Sequence, residues 1–256
     1  MTPILPFLPD RPAKPRKSGL TMVMDKGMST REAEDFASVG SNCADFVKLG
    51  FGTSIITPNL DKKLTVYKSA GITPYFGGTL FEAFIIRNMF EQYLELLDKY
   101  EITLVEISDG SYEFDHGKKL GYINQLSKSH TVVSEVGSKK KDTVYTPAQW
   151  VDMMKSELEA GAFKVIAEAR ESGTIGIFND DGSINNTIID AISHHVSLDN
   201  VIWEAPLKSQ QVWFIKHFGA NVNLGNIAPN EIISLETLRL GLRGDTFFQF
   251  LPKDIC

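Results

Sequence analysis

Eight short apolar segments rich in β-branched residues recur along this chain, and most of them start apolar and end in charge. They occupy residues 20–26, 44–50, 73–76, 103–108, 131–136, 164–169, 201–205 and 220–224. Amphipathic stretches fall between them, among them residues 80–100, 147–159, 209–218 and 229–240. The repeat averages about thirty residues, the size of a strand-plus-helix unit. The alternation never breaks and no interdomain linker interrupts it. The 256 residues are what one closed (β/α)8 TIM barrel needs, so the expected fold is α/β, a single barrel domain over residues 19–250. An open, doubly wound sheet would need a glycine-rich turn after the first strand, and Asp25-Lys26-Gly27-Met28 is not one.

The joints carry recognisable signals. Pro147 and Pro229 suit the first turn of a helix, where a missing N–H costs nothing. Gly71, Gly161 and Gly219 stand where helices should stop, at positions that favour a left-handed backbone. Before the first strand, Pro3, Pro6, Pro9, Pro12 and Pro15 recur at every third residue. That spacing favours an extended arm over residues 1–18, lying along the barrel or a neighbouring subunit. The arm and the length of the helix expected at 80–100 point to a homo-oligomer.

Composition narrows the function classes. A formal charge of −6 gives no global attraction for nucleic acid or an anionic membrane, so an anion site must be a local cluster of cations. No apolar run approaches a membrane span, and the N-terminus lacks the unbroken apolar stretch of a signal peptide. Two cysteines, Cys43 and Cys256, make no disulfide framework. A reduced cytoplasmic protein without membrane or nucleic-acid partners is expected.

Polarity along each strand locates the chemistry. The runs read LTMVMDKG, DFVKLGFG, LVEISDG, VVSEVGSK, VIAEAR, VIWEAPLK and NVNLGN. Barrel active sites lie at the strand C-termini, where these runs turn polar. Side chains alternate faces along a strand, so Glu106 aligns with Ser108, Glu168 with Arg170, and Glu135 with Gly137 and Lys139. Glu204 and Lys208 extend the pattern, although Pro206 breaks the strand between them. Four consecutive strands thus offer a glutamate at similar height, and a buried carboxylate without a partner is expensive. Lys48, Lys139, Arg170 and Lys208 are the cations expected around them, and Asn223 and Asn226 close the last strand, where barrels often bind phosphate.

The metal implied is magnesium or a similar hard ion, held by Glu106, Glu135, Glu168 and Glu204. His116, His130, His194, His195 and His217 fall outside the strand ends and lack zinc spacing. Gly77-Gly78-Thr79 is either an anion cradle or a tight strand-to-helix turn. Arg243-Gly244-Asp245, Asn185-Asn186-Thr187 and the run Lys139-Lys140-Lys141 carry no independent functional reading beyond Lys139.

Several strand-end segments are similar to those of the phosphosulfolactate synthase family. They include GLTMVMDKG at 19–27, VKLGFGTS at 47–54, GGTLFEAF at 77–84 and VEISDGS at 105–111. SEVGSK at 134–139, EARESG at 168–173, WEAPLKSQQVWFI at 203–215, VNLGNI at 222–227 and LETLRLGLRGDTF at 235–247 continue the match in order. The resemblance implies a lyase that adds sulfite to phosphoenolpyruvate with Mg2+, giving (2R)-O-phospho-3-sulfolactate. In methanogens that step opens coenzyme M synthesis; bacterial relatives are linked to sulfolactate and plant relatives to heat-stress tolerance. The family's proposed general acid closes an E-V-G-x-K segment, which falls on Lys139. For such a reaction Lys48, Arg170 and Lys208 at the strand ends, with Asn223 and Asn226 after the last strand, are the substrate-binding candidates. The alternatives are a non-catalytic stress-protection relative, or another barrel lyase or aldolase acting on a small phosphorylated acid.

Overall fold

A computed structural model of the chain describes residues 5–137 and 145–255; Lys139, Lys140, Lys141 and Cys256 lie outside them. Eight strands form its centre: β1 (Thr21–Asp25), β2 (Phe46–Leu49), β3 (Thr73–Phe76), β4 (Leu104–Ile107), β5 (Thr131–Val136), β6 (Lys164–Ala167), β7 (Val201–Glu204) and β8 (Leu224–Ile227). Every ladder is parallel, in the order β3-β2-β1-β8-β7-β6-β5-β4. β3 and β4 lie side by side at the two ends of that order and bring the ring nearly to closure. The fold is the expected (β/α)8 barrel.

Helices α1 (Thr30–Gly40), α2 (Leu60–Ser69), α3 (Gly78–Ile85), α4 (Phe90–Lys99), α5 (His116–Leu126), α6 (Pro147–Glu159), α7 (Asn186–His195), α8 (Lys208–Phe218) and α9 (Ile232–Arg239) surround the strands. Local chemistry sets their starts. Ser29 and Glu32 cap α1 reciprocally, and Thr146 and Gln149 do the same for α6 with Pro147 in its first turn. The single helix expected over 80–100 is two helices, because Asn88 adopts a left-handed φ of 55° between them. Residues 229–240 likewise divide into a 3-10 turn at Pro229–Glu231 and then α9. The described residues contain no helix long and apolar enough to cross a membrane.

The core has two layers. Trp150, Trp203, Phe81, Tyr93 and Phe214 belong to the layer between strands and helices. Inside the ring, Met22, Tyr75, Leu104, Val133, Ile166 and Ile202 form a separate apolar plug. Each buried aliphatic side chain contributes roughly 1.5–3 kcal/mol, so this floor fixes the barrel while the rim above it carries charge.

The opposite, N-terminal rim is closed by the arm. Arg11 pairs with Glu236 at 2.8 Å and Arg16 with Asp45 at 2.9 Å, while Lys14 donates to the carbonyls of Ser41, Ala44 and Gly71. The fully buried Arg239 donates to the carbonyls of Ala220, Val222 and Leu20. This bears on one displacement from the sequence reading. The last strand was expected at 220–224 but begins at Leu224; before it the Ala220 and Val222 carbonyls serve Arg239, and only those of Asn221 and Asn223 accept from neighbouring backbone.

Candidate active site

At the C-terminal rim, alternation along the strands turns five ionisable side chains inward above the apolar plug. Lys48 rises from β2, Glu106 from β4, Glu135 from β5 and Glu204 from β7, while Glu168 follows β6 directly. All five are buried. The Lys48 ammonium lies 2.8 Å from Glu106, 3.1 Å from Glu135 and 3.6 Å from Glu204. Burial works against that ammonium, yet Glu106, Glu135 and Glu204 hold its proton well above the usual lysine range. Burial pushes the Glu204 carboxyl up to about 8, reinforced by Glu135 and Glu106 and opposed by Lys48 and the Ala169 N–H.

The glutamates are not equivalent. Glu106 is held by protein donors: the Gly78 N–H at 2.6 Å, the Tyr75 hydroxyl at 3.0 Å and Lys48. Gly78 has to lack a side chain here, since a Cβ would fall 2.2 Å from Ser108 Oγ and 2.9 Å from Glu106 Oε1. Glu135, Glu168 and Glu204 instead converge, each offering a carboxylate oxygen within 4.8 Å of the others. Gly137 permits this, because a Cβ on it would lie 2.5 Å from that of Glu168. Such a spacing is the width of one divalent ion's oxygen shell, and the all-oxygen donor set suits a hard cation.

These three carboxylates line a cavity of about 440 Å³ together with Lys48, Arg170 and Asn226. Phe51, Thr79, Ser172 and Gly77 complete much of its wall. Across the mouth, Lys26 and Glu171 form an exposed ion pair between the loops after β1 and β6. The cavity can therefore hold a small polar molecule against both carboxylates and cations, which fits an anionic substrate carried with a cation.

The sequence candidates separate cleanly. Lys48, Glu135, Glu168, Glu204, Arg170 and Asn226 meet at the cavity, whereas Glu106 sits beside them, satisfied by Tyr75 and Gly78. Lys208 does not reach it: as the first residue of α8 it pairs with Asp245 at 2.8 Å on the surface, because the strand phase ends before Pro206. Asn223 is at the other end of the barrel, where it accepts from the Leu20 N–H and donates to carbonyls of Asp199 and Val201. That follows from the later start of β8. Lys139 lies outside the described residues.

Sequence reasoning missed Tyr75, which buttresses Glu106 from β3, and Lys119, which approaches Glu135 from behind. Lys119 on α5 is buried and donates to Asp109 at 2.9 Å and to the backbone carbonyl of Glu135 at 2.6 Å. Its other partner is Glu157 of α6, 2.9 Å away. A lysine in the first turn of α5 and a glutamate in the last turn of α6, both on buried faces, were the available signal.

Comparison with known proteins identifies the family. The sequence profile of the family described as (2R)-phospho-3-sulfolactate synthase matches residues 9–245. A phosphosulfolactate synthase of Methanothermobacter thermautotrophicus is 41% identical over 244 residues, covering 93% of this chain and 95% of that one. Those of Bacillus subtilis and Methanocaldococcus jannaschii are 40% and 43% identical over 244 and 235 residues, covering 94% and 90% of this chain and 97% and 94% of theirs. Among solved structures, 3-hexulose-6-phosphate synthase of Salmonella typhimurium superimposes with a TM-score of 0.56 at 14% identity, over 88% of this chain and all (100%) of the other. Thiamine phosphate pyrophosphorylase of Pyrococcus furiosus gives 0.52 at 8% identity, over 92% and 98%. Those two likenesses concern the barrel alone. With the family profile spanning the barrel and the relatives matching it nearly end to end, the chain belongs to the (2R)-phospho-3-sulfolactate synthase family and is an enzyme of that family.

Proposed function

We propose that this enzyme joins sulfite to phosphoenolpyruvate, with Mg2+, to give (2R)-O-phospho-3-sulfolactate. The observation that carries the reading beyond family membership is the charge balance in the barrel mouth. Among the described residues, four buried glutamates face one buried lysine, and Arg170 stands at the rim. A substrate bearing phosphate and carboxylate would be repelled from such a site unless a divalent ion accompanied it.

In this reading Glu135, Glu168 and Glu204 hold the ion. When bound, Mg2+ supplies a Lewis-acid contact for the carboxylate oxygens of phosphoenolpyruvate. Lys48 keeps three carboxylates in place and contributes a fixed positive charge beneath the substrate. Arg170 offers a planar, permanently charged partner for the phosphate or sulfite oxygens. The apolar plug below excludes water from that side of the site, which strengthens every charge contact above it. The sulfur lone pair forms the new bond to the terminal carbon, the double-bond electrons move toward the carboxylate, and a proton is delivered to the carbon bearing phosphate. The proton donor is Lys139, on the resemblance of its segment.

An amine-dependent aldolase reaction is disfavoured by the same geometry. A Schiff base needs a neutral lysine, and the lysine lining the cavity among the described residues, Lys48, is held charged by its glutamates. The test is phosphorus NMR of purified protein with magnesium, sulfite and phosphoenolpyruvate. A new phosphate-ester resonance that requires sulfite is the expected result, and its absence would overturn the reading.

A further inference from the structure

We propose that Asn226 supplies a fourth, uncharged oxygen to the cation site formed by Glu135, Glu168 and Glu204, a proposal that rests on the reading of this cavity as a divalent-ion site. The sequence reading gave Asn226 to the substrate's phosphate. Its hydrogen bonding points elsewhere.

Asn226 stands near the end of β8 and lines the same cavity as the three glutamates. Its backbone is left-handed, with φ at 57°, a conformation that asparagine tolerates better than most residues and that turns its side chain out of the strand's alternation. The residue is 8% exposed. Its Nδ2 donates to the Ala169 carbonyl at 3.4 Å, the orientation of the amide that sets a donor and not a second acceptor against that oxygen. Oδ1 is then buried, with no hydrogen-bond partner among the described residues. A buried acceptor left in that state costs about 1–3 kcal/mol, so an occupant that satisfies it is worth retaining.

The occupant must be a cation or a donor, since an amide oxygen repels phosphate and sulfite oxygens. Lys48 is already surrounded by Glu106, Glu135 and Glu204. Asn226 is also tied to the acidic cluster through one residue: the Ala169 N–H donates to Glu204 at 2.8 Å while the Ala169 carbonyl accepts from Asn226. A single peptide unit therefore sets the relative position of both side chains. Three carboxylates and a neutral amide oxygen leave positions on a six-coordinate ion for substrate or water, which an all-carboxylate cage would oppose by excess charge.

The experiment is Mn2+ titration of the full chain without substrate, followed by the electron paramagnetic resonance signal of the free ion, on wild type, Glu168→Gln, Asn226→Ala and Asn226→Asp. Circular dichroism of each variant checks the fold, and the near-isosteric aspartate covers the case in which alanine does not fold. One site is expected in wild type, weakened about tenfold or more in Asn226→Ala and as tight or tighter in Asn226→Asp. If Glu168→Gln loses the ion while both Asn226 variants bind as wild type does, the Asn226 assignment is overturned and the divalent-ion reading stands. Unchanged Mn2+ affinity with a raised KM for phosphoenolpyruvate in Asn226→Asp would also overturn it, returning Asn226 to the phosphate. If wild type binds no Mn2+, the divalent-ion reading itself fails, and this assignment with it.

Discussion

Lys119 donates to the backbone carbonyl of Glu135 at 2.6 Å from outside the strand ring, so a buried lysine on one helix fixes the strand end that presents a cavity carboxylate. Its ammonium has two further acidic partners, Asp109 and Glu157. Burial opposes the charge, but Glu157 and Asp109 raise the ammonium's proton affinity above the ordinary lysine range.

Lys119→Met should therefore destabilise the protein by about 3–5 kcal/mol, because Glu157 is left buried without its counter-ion. The double variant Lys119→Met/Glu157→Met removes both charges and should recover most of that loss. Urea unfolding midpoints of wild type and the two variants make the comparison; equal destabilisation in the single and double variants would contradict it.

Adding Mg2+ to the metal-free protein should raise its melting temperature. At an ion concentration about a hundred times the dissociation constant, the gain is about 2.7 kcal/mol, which for a chain of this size corresponds to roughly 5–10 °C. Chelation should reverse the shift, and Glu168→Gln should flatten it. A thermal scan with and without chelator checks all three.

Lys139→Ala should lower turnover with sulfite and phosphoenolpyruvate by about 10²–10⁴, the usual weight of a general acid. Mn2+ affinity should not change, since the proton donor is not a ligand of the ion. Near-normal turnover would remove Lys139 from the mechanism.

Acid should release the N-terminal arm. Burial alone would raise the Glu236 carboxyl, but the hydrogen bond and charge of Arg11 hold it below the usual glutamate range. A carboxyl lowered in the folded state stabilises above its unfolded pKa, about 4.3, and loses that contribution as pH falls through the folded value. Proteolysis within the arm, at Leu5, Phe7 or Leu8, by an acid-tolerant protease should accelerate below that range in wild type. Glu236→Gln should cleave at the acid rate already at neutral pH.

Much of this molecule was legible in its residues. Seven strands begin and end within a few positions of the apolar runs that announce them, because a strand buried on both faces has little choice of composition. The eighth run was legible as apolar, but its first residues are claimed by Arg239, a partner almost twenty positions away. Asn88 was the one mark of the break between α3 and α4, in a stretch without glycine or proline.

For the site, period-two alternation finds which residues face inward and not which neighbours they meet. Glu106 and Glu135 share that phase, yet Tyr75 and Gly78 saturate the first while the second turns to Glu168 and Glu204. Lys208 shows where the rule stops: past Pro206 the chain has left the strand, and its side chain follows the helix to Asp245.

Arg11, Lys14, Arg16 and Arg239 stopper one end of the barrel with side chains bonded to backbone carbonyls or paired with acidic residues. Among the described residues, Lys48 is then reached from the opposite rim, between the Lys26 and Glu171 loops and the β2 and β3 turns. In the proposed reaction the product leaves by the rim its substrates enter, so retained product should inhibit competitively against phosphoenolpyruvate.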